Sequence, residues 1–323
     1  MNPVRFVAVG LLGVGLAFPT GGSAVAQEGA PLSISLATGG VAGVYFPLGG
    51  AMAEAWSAEI ADLTVTAEAT GASVVNVRLV EGGEAELALV QNDIASYAYN
   101  ADEMFADDTP LQQNVGMAML YPEVIQIVTL QDSGIATVDD LAGNRVAVGA
   151  PGSGTEANAR QILEAHGITY ADISEQFLPF GEAVDALRDG RIDAAFLTAG
   201  IPTAAVIDLS ATHDAAIVSI DPEKAEEVVA RWRFYSAFTI PGGAYTGIEE
   251  DIPTVTVQAM LVASADLDAD VVEQMLEVLF RDETLAQLCN THVRGCDISL
   301  DTALEAMPIA LHSGAERFYG RDQ

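Results

Sequence analysis

Positive charge is scarce in this chain: 13 lysines and arginines stand against 46 aspartates and glutamates, a net charge of −33 over 323 residues. Such an excess repels nucleic acid and anionic lipid surfaces, so no nucleic-acid partner is expected. The acids are scattered rather than blocked, which reads as a surface kept soluble in a saline habitat and not as an acidic interaction tail. Cysteine is nearly absent. Cys289 and Cys296 are the only two, and in an oxidising compartment their default is a disulfide closing a small loop that Gly295 can turn. The alternative is a metal site with His292 as third ligand, for which the sequence offers no obvious fourth. Among the other histidines, His166 precedes Gly167 at a helix end and reads as a cap, and His213 and His312 show no metal-ligand spacing.

Catalytic signatures are missing as well. The loop at 149–155 lacks the Gly-Lys-Ser/Thr of a P-loop, and its Gly152-Ser153-Gly154 is not a Gly-x-Ser-x-Gly nucleophile elbow. The loop at 38–43 lacks the spacing of a dinucleotide fingerprint. No enzyme activity, cofactor or bound metal is expected.

Only Val7–Phe18 is a sustained apolar run in the leader; Arg5 precedes it and Ala24-Val25-Ala26 follows. This is the pattern of a secretory signal peptide over residues 1–26, and it is too short for the roughly 20 apolar residues of a membrane span. Cleavage after Ala26 would deliver an exported, periplasmic chain of about 297 residues that starts at Gln27, with a charge of −34. That length exceeds what one core usually supports, so two domains are expected.

What the chain does have is one short unit used twice: a strand, a glycine-rich loop bearing hydroxyls, and a helix. First, Ile34–Ala37 runs into Thr38-Gly39-Gly40-Val41-Ala42-Gly43, with a helix starting at Pro47. Later, Val146–Val148 runs into Gly149-Ala150-Pro151-Gly152-Ser153-Gly154-Thr155 and another helix. Such glycines let backbone N–H groups turn toward an anion, and the following helix adds its positive dipole end. Two such loops suggest one ligand gripped from two sides.

Strand and helix patterns alternate throughout, which predicts an α/β fold with mostly parallel sheets. Leu63–Ala67 is a strand that ends in Ala69–Ser73. The following helix stops at Gly82-Gly83, and Leu87–Val90 is an uninterrupted apolar strand that ends at Gln91-Asn92-Asp93. The same order recurs with helix 182–188, a stop at Asp189-Gly190, and strand Ile192–Leu197 ending at Thr198-Ala199-Gly200; Pro202 is placed for a helix start. Gln91 therefore corresponds to Thr198. Two similarly built lobes follow, 27–122 with 235–323 and 123–234, linked through the apolar stretch Gly116–Leu130 and a return near Phe234–Tyr245. A strand at Thr254–Ser264 and a mostly helical tail from Val271 complete the pattern.

Ligands bind beyond the carboxyl ends of parallel strands. That rule nominates Thr38, Gly39, Gly40, Thr70, Gly71, Ser73, Gln91 and Asp93 on one lobe, and Gly152, Ser153, Thr155, Thr198 and Gly200 on the other. Tyr45 is a candidate aromatic wall, and Arg78 is expected to face solvent.

Several of these stretches carry a resemblance. Ala37-Thr38-Gly39-Gly40 with Tyr45-Phe46-Pro47-Leu48-Gly49, Thr70-Gly71-Ala72-Ser73-Val74-Val75-Asn76, Asp139–Gly143, Val148–Thr155, Asp193–Phe196 and His312–Tyr319 together resemble the TAXI-type solute-binding proteins of TRAP (tripartite ATP-independent periplasmic) transporters. Ser313 and Phe318 depart from the family's usual proline and tyrosine. The resemblance covers nearly the whole chain after the leader. It implies a two-lobed periplasmic binding protein of type II, or Venus-flytrap, form, with Asn76 joining the site. It further implies a small organic acid as ligand, glutamate or another C4 or C5 dicarboxylate, and TRAP permease subunits as membrane partners; the alternative is a binding protein of the same fold serving an ATP-driven importer or a sensor kinase.

Overall fold

Leu87-Ala88-Leu89-Val90 is apolar at every position, and in the computed structural model it forms a central strand whose residues are all fully buried. The structure describes residues 31–321; the expected leader and its cleavage point lie outside the described residues. In chain order the elements are β1 (Leu32–Ala37), α1 (Tyr45–Glu59), β2 (Leu63–Glu68), α2 (Ser73–Glu81), β3 (Leu87–Gln91), α3 (Asn92–Asn100) and β4 (Asn114–Leu130). Then come β5 (Arg145–Ala147), α4 (Gly154–Ala165), β6 (Ser174–Gln176), α5 (Phe180–Arg188), β7 (Ala194–Ala199), α6 (Ala204–Ser210) and β8 (Ala215–Val218). The chain finishes with α7 (Pro222–Arg231), β9 (Ser236–Ile240), β10 (Ile252–Ser264), α8 (Ala269–Leu279), α9 (Asp282–Thr291) and α10 (Ser313–Gly320).

The strands form one sheet in the order β2-β1-β3-β10-β4-β7-β5-β6, with β8 on β4 and β9 on β10. Each end of this sheet is built alike. At one end β1 pairs in parallel with β2 and β3, and β10 runs antiparallel beside β3. At the other, β5 pairs in parallel with β6 and β7, and β4 runs antiparallel beside β7. The glycines expected to stop the preceding helices, Gly83 and Gly190, sit at φ 69° and 65°, where a Cβ is strained.

Parallel pairing is thus confined to the two ends, because β4 and β10 cross the middle antiparallel to their neighbours. The stretch expected as a link is β4 itself: it pairs with β10 over Asn114–Val124 and with β7 over Val124–Thr129, so one strand serves both halves. The expected return is β9, on the outer side of β10. Pro202 does not open a helix. It follows a cis Ile201–Pro202 bond in a turn, and α6 begins at Ala204.

Alternate residues of the central strands face different cores. Ala88 and Val90 join one large cluster with Val77, Ile94, Ile162 and Phe196 that spans both halves. Leu87 and Leu89 join Leu36, Met52, Trp56 and Leu276 on the other face, where the second half has its own cluster around Val184, Leu187 and Val206. Phe180 packs against both of these. Among the described residues no helix is long and apolar enough to cross a membrane.

Candidate functional site

Between these two clusters lies a cavity, and the parallel strands aim their carboxyl-end loops into it. β1 supplies Gly39, Gly40 and Gly43, β2 supplies Thr70–Ser73, and β3 supplies Gln91. From the second half come Ala150 and Ser153–Thr155 after β5, Pro179 and Phe180 after β6, and Thr198 and Ala199 at the end of β7. Val44 and Tyr45 at the start of α1, and Glu123 on β4, complete the wall. The cavity has a volume of about 60 Å³, space for about four to six waters.

Ten of the nominated residues therefore meet around one cavity: Gly39, Gly40, Tyr45, Thr70, Gly71, Ser73, Gln91, Ser153, Thr155 and Thr198. The other five stand off its wall. Thr38 is buried and donates its hydroxyl to Glu68 O at 2.6 Å. Asn76 Nδ2 donates to Thr38 O at 2.6 Å and Leu89 O at 2.8 Å, tying the ends of β1 and β3 together. Gly152, at φ 73°, gives its carbonyl to Val75 N at 3.1 Å. A Cβ on Gly200 would strike Arg294 Cγ at 2.5 Å. Asp93 is fully buried two residues past Gln91, in the first turn of α3.

Three hydroxyls share one arrangement. Ser73 Oγ accepts from Gln91 N at 3.1 Å, Ser153 Oγ caps α4 by accepting from Glu156 N at 3.2 Å, and Thr155 Oγ1 accepts from Thr198 N at 3.3 Å. With each oxygen engaged by a backbone N–H, the O–H groups of Ser153 and Thr155 are left to donate into the cavity, while the Ser73 hydroxyl also meets the Tyr45 phenol. No arginine, lysine or histidine lines the wall.

Residue-by-residue reading of the loops missed Glu123, Val44, Pro179 and Phe180. Glu123 is 2% exposed and accepts a hydrogen bond from Tyr45 OH at 2.5 Å. Burial pushes its carboxyl up to about 8; the Tyr45 bond pulls it down and the Asp93 charge pushes it further up. Burial likewise holds the Tyr45 phenol well above its ordinary range, with the neighbouring Glu123 adding to the shift. The one available signal was a single acid in the otherwise uncharged 17-residue β4. Two further polar atoms on the wall, Gln91 Oε1 and Thr198 Oγ1, are buried without a partner.

The halves touch around this cavity. Val75 N donates to Gly152 O at 3.1 Å, Ala205 N to Ala42 O at 3.3 Å, and a Cβ on Gly71 would lie 3.2 Å from Pro151 O. Behind it, Asp93 Oδ2 accepts from Asn158 Nδ2 at 3.0 Å, Asn158 Nδ2 also donates to Tyr235 OH, and Tyr235 OH donates to Gln161 Oε1 at 2.6 Å. Burial pushes the Asp93 carboxyl up to about 6. Arg78, as expected, lies outside on α2, paired with Asp108 at 2.6 Å.

Cys289 and Cys296 are joined in a disulfide. Both nitrogens of His292 are engaged nearby: Nδ1 accepts from Arg294 N at 3.1 Å and Nε2 lies 2.9 Å from Pro202 O. That leaves His292 no free nitrogen to ligate a metal. Among the described residues no cluster of three His, Cys, Asp or Glu could hold one.

A sheet of this order, flanked by helices and enclosing a cavity at its strand ends, is the type II periplasmic binding-protein fold. The chain belongs to the NMT1-like family, whose model matches residues 36–321. Among solved structures it is similar to a protein of Bordetella bronchiseptica RB50, at 18% identity over 89% of this chain and 88% of that one, with a TM-score of 0.53. It is also similar to a Streptococcus mutans structure reported for glutathione import via GshT and the cystine ABC importer TcyBC. There the identity is 12% over 82% of this chain and 96% of that one, with a TM-score of 0.51.

Proposed function

We propose that this chain is a periplasmic solute-binding protein that captures a small organic acid, glutamate or a related C4 or C5 dicarboxylate, and delivers it to an ion-gradient-driven TRAP permease. One observation carries the reading: a single cavity is lined by loops from both ends of the sheet, and its hydroxyl donors are oriented by backbone N–H groups. Neutral donors of this kind, with the first turn of α4 behind them, bind a carboxylate without an arginine. In this reading 27–122 with 235–323 forms one lobe and 123–234 the other, and the two close over the ligand. The wall holds no nucleophile paired with a base, which favours binding over catalysis.

Native mass spectrometry of the protein as purified is the direct test, since a ligand held by both ends of the sheet is retained through purification. The expected spectrum shows a non-covalent adduct with the mass of a small organic acid, lost on refolding and restored by one member of a panel. Turnover of any panel member, or no binding across it, would overturn the reading. Delivery to an ATP-driven importer is the second reading, favoured by the fold shared with the Streptococcus mutans structure. A permease gene beside this one, and transport that survives ATP depletion but not loss of the ion gradient, separates the two.

A further inference from the structure

A cavity suited to an organic acid here contains an acid of its own. Glu123 is almost wholly buried on β4, and its one side-chain hydrogen bond comes from Tyr45 OH. The titratable groups acting on it or packed beside it are the phenols of Tyr45 on α1 and Tyr121 on β4 and the carboxyl of Asp93 on α3, none of them cationic. Gln91 Oε1, also on the wall and 97% buried with its residue, has no donor. A glutamine carbonyl oxygen can only accept, as can an ionised carboxylate. A ligand built from carboxylates alone would bring no donor to Gln91 Oε1, and it could meet Glu123 only while that carboxyl keeps its proton. An ammonium group brings the opposite charge and three donors.

We infer that Glu123 receives an ammonium group of the ligand, so that the site selects an amino acid over the oxo or hydroxy acid of the same length. This deepens the proposed function and rests on its reading of the cavity as a ligand site. The carboxylate of such a zwitterion falls to the hydroxyls of Ser153 and Thr155. Without ligand, burial keeps a proton on Glu123 at neutral pH. When the ammonium arrives the carboxyl ionises, and the proton leaves to solvent.

Calorimetry on refolded, ligand-free protein tests this, using L-glutamate, L-aspartate, L-alanine and 2-oxoglutarate in two buffers of different ionisation heat. The amino ligand that binds should release close to one proton per site at pH 7, with affinity rising about tenfold per pH unit toward pH 8. In Glu123→Gln that affinity should fall about thirty-fold or more, the usual scale for removing one partner of a buried charge pair, while 2-oxoglutarate binding is unchanged or stronger. Tighter binding of 2-oxoglutarate than of every amino acid, absence of proton release, or indifference of a folded variant overturns the inference and leaves the solute-binding reading intact. Should the variant not fold, the wild-type proton release decides. L-alanine binding with proton release, and none of the three diacids binding, keeps the inference and removes the dicarboxylate assignment. No binding by any of the four overturns both.

Discussion

Ala72 stands on the cavity wall at φ 71°, ψ −151°, a conformation essentially reserved for glycine and worth about 1–3 kcal/mol of strain. Residues on either side hold it there: Ala72 N donates to Thr70 Oγ1 at 3.0 Å, and Ala72 O accepts from Asn76 N at 2.9 Å. Ala72→Gly should therefore raise stability by about 1 kcal/mol after the larger entropy of glycine in the unfolded chain is subtracted. Denaturant titration should show a higher midpoint with an unchanged slope. A lower midpoint would mean that the backbone here is relaxed. At this scale the sequence was informative about chemistry but not about depth. Ser73, Ser153, Thr155 and Thr198 announce themselves as hydroxyls after strands. Thr38 carries the same signal, yet it is spent on joining β1 to β2, as Asn76, nominated through the family resemblance, is spent on joining β1 to β3; only three-dimensional pairing reveals the difference. Glu123 was hidden for the opposite reason, as one acid within an apolar run that reads as pure core.

Helix α4 shows how an element carries two duties at once. Ser153 caps it and Thr155 anchors the end of β7, while both face the cavity. Replacing both with alanine removes two donors, each worth roughly 1.5–3 kcal/mol on a carboxylate, so ligand affinity should fall by tens-fold or more. Loss of the cap should also lower stability by about 1 kcal/mol. X-ray scattering should show the wild type shrinking with its true ligand and the double variant failing to do so; normal binding and compaction in the variant would make this loop purely structural. The elements themselves were largely legible, because helix stops at Gly83 and Gly190 and apolar runs at β3 and β7 are local signals. The double membership of β4 was not, since hydrogen-bond partners far apart in sequence leave no local trace.

For the whole molecule, charge is the dominant quantity. Arginines are engaged in pairs such as Arg145–Asp193 and Arg281–Glu59, but 46 acids outnumber 13 bases, so most carboxylates repel one another unanswered. Salt screens that repulsion, and the melting temperature should climb between low salt and molar sodium chloride. A flat or falling curve would contradict this. The matching ends of the sheet were foreshadowed by a motif used twice in order, which is the kind of long-range regularity a single sequence can display. The seam where those ends meet, by contrast, is written in main chain: Val75 N to Gly152 O and Ala205 N to Ala42 O. Bonds of that sort belong to no particular side chain. Side chains at the mouth of the cavity can therefore be exchanged, and with them the molecule it favours, while this main-chain join between the two ends is kept.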